Sequence, residues 1–185
     1  YLNRLLKRCT TPVVAVWDAE MILPYKQIDE SLDMIMNGKA AMVIPYDQTV
    51  LFLSEEQTVA SLRADSILEH LQLHSASYRR WLGRPSCGGL FFVNREVYLK
   101  CGGENEHFYG WGPEDAERVR RMEILGYPVG VNTEGPLYHL WHPRGDNSRF
   151  FNRQLASNSR LELIRICNMD TKELTDDVAS WRNRK

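Results

Sequence analysis

Short apolar runs alternate with segments of helical spacing along the first half of the chain. The run Val13–Trp17 is apolar and rich in β-branched residues, which predicts a buried strand that ends at Asp18. Helical spacing follows through residues 25–36 and stops at Asn37-Gly38, and the run AAMVIPYD predicts a second buried strand. This strand, helix, strand unit should be parallel and right-handed.

The second half continues the alternation. Ser54 and Gln57 form a possible capping box before a helical segment. The stretch CGGLFFVNREVYLKCGG predicts a short strand and then a helix that starts near Asn94, and a later helix should end near Gly126 before another strand. The tail, residues 151–185, has the pattern of a surface helix. Strands alternating with helices indicate an α/β layered domain.

Composition narrows the class of protein. The chain has 185 residues, of which 43% are hydrophobic and 25% charged, as expected for one soluble globular domain. Its net charge of −1 argues against a general attraction to nucleic acid, and no stretch approaches the roughly 20 apolar residues of a membrane span. The four cysteines lack the spacing of a zinc finger and indicate reduced thiols in a reducing compartment.

An acidic triplet, Asp18-Ala19-Glu20, stands where the first predicted strand stops. Residues i and i+2 of an extended segment point to the same side, so the two carboxylates can converge on one cation, or on a cation and a ribose hydroxyl. A turn with two solvated acids remains the alternative.

A second group is HLWHPR, residues 139–144. His139 and His142 can supply nitrogen ligands to a divalent metal, and Arg144 can supply a cation for a phosphate. Two ordinary loop histidines are the alternative, and the remaining three histidines show no such grouping with carboxylates.

The third group is FYGWGPEDAER, residues 108–118. Pro113 followed by two acids predicts the start of a helix, because proline suits the first turn and carboxylates favour the positive end of the helix dipole. Glu114 or Asp115 can act there as a general base toward a hydroxyl, and Tyr109 or Trp111 can offer a flat face to a sugar ring.

Taken in this order, the motifs resemble the metal-dependent nucleotide-sugar glycosyltransferases of the GT-A type. The resemblance extends over roughly residues 3–145 and is strongest to the carboxyl-terminal part of the β-1,4-galactosyltransferase-like group and its bacterial relatives, in which a W-G-W-G-x-E-D motif follows a Gly-Gly strand. It implies a mixed sheet flanked by helices, a catalytic region over residues 1–150 and a helical extension over 151–185. The strands that hold the nucleotide base in this group have no counterpart before the triplet, so the sequence is expected to be incomplete at its N-terminal side.

The resemblance also implies roles for single residues in the donor and metal site. Asp18 resembles the acid that meets the ribose or the metal, and Glu20 the metal-binding acid, although the motif usually has Asp there. His142 resembles a metal-ligand histidine, with His139 as a further ligand. The implied cofactor is Mn²⁺ or Mg²⁺.

Other residues match the catalytic and acceptor positions of the group. Asp115, with Glu114 beside it, matches the acid that acts as base on the acceptor hydroxyl, and Trp111 and Tyr109 match the acceptor site. Gly88-Gly89 resembles the tight strand entry beside the donor sugar. The implied reaction moves a galactose or N-acetylhexosamine unit from a nucleotide sugar, expected to be a UDP-sugar, to a glycan hydroxyl with inversion.

Two other functions remain open from the sequence. One is a carbohydrate- or nucleotide-binding module without turnover, and the other is a metal-dependent phosphoester hydrolase that uses Asp18, Glu20 and His142. For the transferase, the expected setting is polysaccharide biosynthesis in the cytoplasm, with a possible peripheral association with the membrane.

Overall fold

The computed structural model describes residues 1–81, 83–108, 112–143, 145 and 152–181. The helices of these ranges are α1 (Leu2–Arg8), α2 (Tyr25–Met36), α3 (Glu55–Arg63), α4 (Ile67–Leu73), α5 (Arg95–Lys100), α6 (Glu114–Ile124), α7 (Arg153–Cys167) and α8 (Thr171–Trp181). The strands are β1 (Val13–Trp17), β2 (Met21–Ile22), β3 (Met42–Ile44), β4 (Val50–Phe52), β5 (Arg79–Arg80), β6 (Leu90–Asn94), β7 (Val129–Val131) and β8 (Leu137–His139).

The described strands form two mixed sheets. The first has the order β1-β6-β3-β7, in which β6 is antiparallel to β1 and β3, and β3 is parallel to β7. The second has the order β2-β8-β4-β5, with β4 parallel to β8 and the other pairs antiparallel. Mixed sheets flanked by helices confirm the predicted α/β class and are consistent with a GT-A-like domain.

Strand β6 forms the centre of the main core. Its residues Leu90–Val93 are buried, because β6 has a partner strand on each side and the apolar faces of neighbouring helices cover it. Asn94 ends the strand and caps α5 by accepting the Val97 N–H at 3.1 Å. The helix start predicted near Asn94 is therefore confirmed, as is the capping box of Ser54 and Gln57.

The topology of the first unit differs from its prediction in one respect. Strands β1 and β3 run in the same direction, as expected, but β6 lies between them. Strand β1 therefore lies at an edge of the sheet, with Ala15 and Trp17 exposed, and the prediction of a buried first strand is wrong. The apolar sequence of these residues predicts a strand, but it does not show which other strands and helices pack against that strand.

The described part of the tail forms two helices. Ile166 of α7 and Leu174 and Val178 of α8 are buried in a small cluster of their own, with Ile124 of α6 against it. The prediction of a surface helix is thus too simple, although the division into a catalytic region and an extension stays a prediction.

Candidate functional site

A cavity of about 780 Å³ opens between the ends of the two sheets. It brings together most of the residues that the sequence singled out: Asp18, Glu20, Gly88, Gly89, Glu114, Asp115, His139 and His142. Tyr109, Trp111 and Arg144, which were predicted to bind acceptor and donor, lie outside the described residues. Four separate motifs, far apart in sequence, therefore meet around one space.

Strand pairing places the acidic triplet beside the histidines. Met21 of β2 lies opposite His139 of β8, and the Leu140 N–H donates to the Glu20 carbonyl oxygen at 3.0 Å. Glu20 Oε1 is consequently 3.8 Å from His139 Nε2 and 3.5 Å from His142 Nε2. The ligand atoms of Glu20, His139 and His142 all lie within 4.8 Å of one another.

The hydrogen bonds of the two imidazoles fit a metal ion. His139 Nδ1 lies 2.6 Å from the Leu140 carbonyl oxygen, and His142 Nδ1 lies 3.0 Å from that of Pro143. A carbonyl oxygen only accepts, so each Nδ1 carries the proton, and in the neutral ring Nε2 presents its lone pair toward Glu20. Metal-bound histidines commonly have this second hydrogen bond, which fixes the tautomer and the ring orientation.

Aromatic packing holds His139 in place. Its ring stacks on Phe52 at a centroid distance of 3.9 Å and on His142 at 5.3 Å, and Phe52 stacks in turn on Trp81 at 4.4 Å. Burial lowers the pKa of His139, which favours the neutral ring that a metal requires. Two imidazole nitrogens and one carboxylate suit a divalent transition metal.

Asp18 lies in the same cavity but outside this cluster of three ligands. Its N–H donates to the Gly89 carbonyl oxygen at 3.0 Å, which ties the end of β1 to the Gly-Gly segment. Burial, with the nearby charges of Glu20 and Asp115, raises the pKa of Asp18 to about 6. Of the four predicted metal ligands, Glu20, His139 and His142 lie together in this cluster, and a role for Asp18 as a ligand stays a prediction.

The acidic pair begins α6 and faces Gly88. A methyl group on Gly88 would lie 3.1 Å from Asp115 Cγ, and closer still to Oδ2. Only a residue without a side chain allows the Asp115 carboxylate to approach this strand so closely. Burial, followed by the neighbouring charge of Asp115, raises the pKa of Glu114 to about 7.

A second cavity, of about 410 Å³, shares the acidic pair with the first. Glu114 and Asp115 line both cavities, together with Asp18 and Gly89. The rest of its lining comes from α1, β1, β6, Arg118 of α6 and the segment that includes Glu104, Asn105, Glu106 and Phe108. The acidic pair thus borders both spaces, each large enough to hold part of a substrate.

Three features of the first cavity were missed from the sequence. Trp81 and Phe52 form part of its wall, Arg84 lies at its rim, and α7 contributes Arg160. The arginines resemble ordinary surface charges in the sequence, so no local signal marks them. A tryptophan between basic residues, in RRWLGR, is the sequence pattern that could have marked this wall of the cavity.

The sequence similarity to known proteins covers most of the residues of this site. Residues 69–143 match the family model described as the N-terminal domain of galactosyltransferase. This part of the chain is therefore similar to galactosyltransferases. The matching segment contains Gly88-Gly89, the acidic pair and both histidines, whereas Asp18 and Glu20 precede it.

Two curated relatives are similar to part of the chain. The chain is 34% identical over 61 residues to beta-1,4-galactosyltransferase 7 of Mus musculus and of Homo sapiens. This alignment covers 30% of the chain and 19% of each relative, so it spans about a fifth of their length. Among the described helices, none combines the length and the apolar character that crossing a bilayer requires.

Proposed function

We propose that the protein transfers a hexose, of the galactose or N-acetylhexosamine type, from a nucleoside diphosphate sugar to a glycan hydroxyl with inversion. The observation that carries this proposal is the arrangement of two cavities that meet at the Glu114-Asp115 pair. A transferase needs two substrate sites with a proton acceptor between them, whereas a hydrolase or a binding module needs only one site. The galactosyltransferase family match over residues 69–143 supports the same class.

The first cavity is proposed to hold the donor. Glu20, His139 and His142 would hold the divalent cation, and Asp18 would add a carboxylate next to it or accept a ribose hydroxyl. The cation, when bound, offsets the negative charge of the departing diphosphate. Arg84 and Arg160 would add positive charge along the same wall.

The second cavity is proposed to hold the acceptor. Its acidic residues, Glu104, Glu106, Glu114 and Asp115, outnumber the one arginine of its described lining, Arg118, and Phe108 provides an aromatic surface. A sugar hydroxyl can donate to these carboxylates, while a carboxylate or phosphate on the acceptor would be repelled. We therefore expect a neutral saccharide as acceptor.

For sugar transfer, the acceptor hydroxyl must be held close to the anomeric carbon, and its proton must be removed. One carboxylate of the acidic pair takes the proton of the acceptor hydroxyl as its oxygen attacks the anomeric carbon from the side opposite the diphosphate. Because Gly88 has no side chain, the Asp115 carboxylate can lie against this wall of the donor cavity. A positioned base of this kind typically contributes ~10²–10⁴-fold to the rate.

The test is a panel of UDP-sugars incubated with the purified protein, Mn²⁺ and neutral glycoside acceptors. We expect one hexose donor to give a glycosylated product of inverted anomeric configuration, detected by mass spectrometry and NMR. Release of UDP with no product in the presence of every acceptor would indicate a hydrolase instead. Binding of UDP without any consumption of donor would indicate a binding module.

A further inference from the structure

Arg118, one helical turn after the acidic pair, is a buried arginine in the wall of the second cavity. It is only 5% exposed, and its guanidinium lies 4.3 Å from the centre of the Phe91 ring. Its Nε donates to the Tyr98 hydroxyl at 3.0 Å, and its Nη2 donates to Glu104 Oε2 at 2.9 Å. The third contact reaches the acidic pair, because Nη1 donates to Asp115 Oδ1 at 2.7 Å. Three acceptors thus fix a planar group, which cannot turn without losing them.

The partners of Arg118 are themselves held by the fold. The Tyr98 hydroxyl donates to Glu104 Oε1 at 2.9 Å, so these two partners also bind each other. The Glu104 N–H donates to Asn3 Oδ1 at 2.7 Å, and Asn3 Nδ2 donates back to the Glu104 carbonyl oxygen at 2.8 Å. Contacts from α1 and α5 therefore determine where the guanidinium lies.

The two oxygens of the Asp115 carboxylate have different surroundings. Oδ1 is bound by Arg118, which lines the second cavity. Oδ2 is the atom closest to the position of a methyl group on Gly88, and Gly88 lines the first cavity. The Asp115 side chain is 36% exposed and lines both cavities, so it is open to a substrate. The hydrogen bond to one oxygen therefore directs the other toward the wall of the first cavity.

We propose that Arg118 is a positioning residue for sugar transfer, which holds Asp115 Oδ1 so that Oδ2 takes the proton of the acceptor hydroxyl. This role rests on the transferase function proposed above and on Asp115 as the base, as the resemblance to the galactosyltransferase-like group implies. The acceptor O–H proton moves to Asp115 Oδ2 while the acceptor oxygen forms a bond to the anomeric carbon of the donor. The bond from that carbon to the diphosphate breaks, and its electron pair leaves with the diphosphate.

The geometry of Arg118 can be separated from its charge. The charge also acts on Glu114, where burial and then the charge of Asp115 raise the pKa to about 7 and Arg118 opposes the rise. A lysine in place of Arg118 would keep the positive charge, but it would bind through a single ammonium group rather than a planar fork. Arg118→Lys is therefore a variant that mainly disturbs the position of the Asp115 carboxylate.

The first experiment is a double-mutant cycle, with kcat and the donor KM measured in the wild type, Arg118→Lys, Asp115→Asn and the double variant. Arg118→Lys should lower kcat by about 10-fold to 10²-fold, because a catalytic group is misplaced, while the donor KM changes little. Asp115→Asn should lower kcat by ~10²-fold or more. The double variant should match Asp115→Asn to within about twofold, because Arg118 acts through Asp115.

Arg121→Lys is the matched control for a purely structural arginine. Arg121 is also buried in α6, but its Nε donates to Glu117 Oε1 at 2.8 Å rather than to the acidic pair. This variant should lower the melting temperature, and any loss of kcat should multiply with the loss in Asp115→Asn. An active enzyme in which the Arg118→Lys loss multiplies in the same way would overturn the role of Arg118 and leave the transferase function intact. Absence of transfer from every donor would overturn the proposed function, and the role of Arg118 with it.

Tyr98→Phe is a second, milder variant that decides the question if Arg118→Lys does not fold. It keeps the guanidinium and its bond to Asp115 but removes the hydroxyl that accepts from Arg118 Nε. We expect a smaller loss of kcat than in Arg118→Lys, and we expect this loss to disappear in the Asp115→Asn background. Melting temperatures of all variants establish that each is folded in the assay. A wild-type kcat in folded Tyr98→Phe and in folded Arg118→Lys would overturn the proposed role.

Discussion

The close approach of Gly88 to Asp115 allows a sharp test of the site. In Gly88→Ala the new methyl group would lie 3.1 Å from Asp115 Cγ, with Oδ2 closer still, whereas ordinary contact begins near 3.4 Å. The Gly88 carbonyl oxygen accepts the Tyr46 hydroxyl at 2.7 Å, so the backbone at this point is held in place. The carboxylate must therefore retreat, by a distance on the order of 1 Å, which is enough to cost about 10²-fold in rate at a positioned catalytic group.

We expect Gly88→Ala to lower kcat/KM for sugar transfer by about 10²-fold, equivalent to about 2.7 kcal/mol. Its melting temperature should fall only moderately, because Arg118 keeps its hydrogen bonds to Glu104 and Tyr98 when the Asp115 carboxylate moves away. The matched control is Gly83→Ala, since a methyl group there meets nothing within 4 Å. Transfer at the wild-type rate by a folded Gly88→Ala protein would refute the reasoning, and so would an equal loss in Gly83→Ala.

Two further predictions concern stability. Glu117→Gln should lower the melting temperature by roughly 6–12 °C in calorimetry, because it leaves the fully buried Arg121 without its charged partner at 2.8 Å and costs about 3 kcal/mol. Glu123→Gln, on the exposed side of the same helix, is its control, and an equal effect of the two variants would contradict the prediction. Glu162→Gln should destabilise the protein at pH 7. Burial alone would raise the pKa of Glu162, but hydrogen bonds, the largest of them from Arg165, lower this pKa to about 2. The stabilisation by ionised Glu162 is complete above the ordinary pKa of 4.5 and is lost as the pH falls toward 2. The melting temperatures of Glu162→Gln and the wild type should therefore converge near pH 2. A difference in melting temperature that does not change with pH would contradict the prediction.

Much of the chain's local structure could be predicted from its sequence. The end of β1 before Asp18, the capped start of α5 at Asn94 and the start of α6 after Pro113 all follow from short-range rules. The second sheet could not be predicted in this way. Its strands have two or three residues each, which is too short for a periodic pattern, and their pairing joins segments far apart in sequence.

In the candidate site, too, some residues are recognisable from their own motifs, whereas others are placed there only by contacts between distant segments. The Asp18-x-Glu20 triplet and the two histidines carry a chemical signal of their own, and the structure brings Glu20, His139 and His142 together. Arg118 gives no such signal, because an arginine within a charged helix is typical of a solvated face, yet it is buried against Asp115. How each carboxylate of the acidic pair is held depends on such distant contacts, so the sequence left the choice between Glu114 and Asp115 open.

The proposed cation site offers the most direct test of the account. Mn²⁺ should be titrated into the purified protein at neutral pH, with binding followed by calorimetry or by electron paramagnetic resonance, in the wild type, in Glu20→Gln and in Glu69→Gln. Glu69 is an exposed acid on α4 and serves as the control. The account predicts one site in the wild type and in Glu69→Gln, and at least about tenfold weaker binding in Glu20→Gln, since a ligand of the cation is lost. Equal Mn²⁺ affinity in all three proteins, or no binding by the wild type, would contradict the claim that Glu20, His139 and His142 form a metal site.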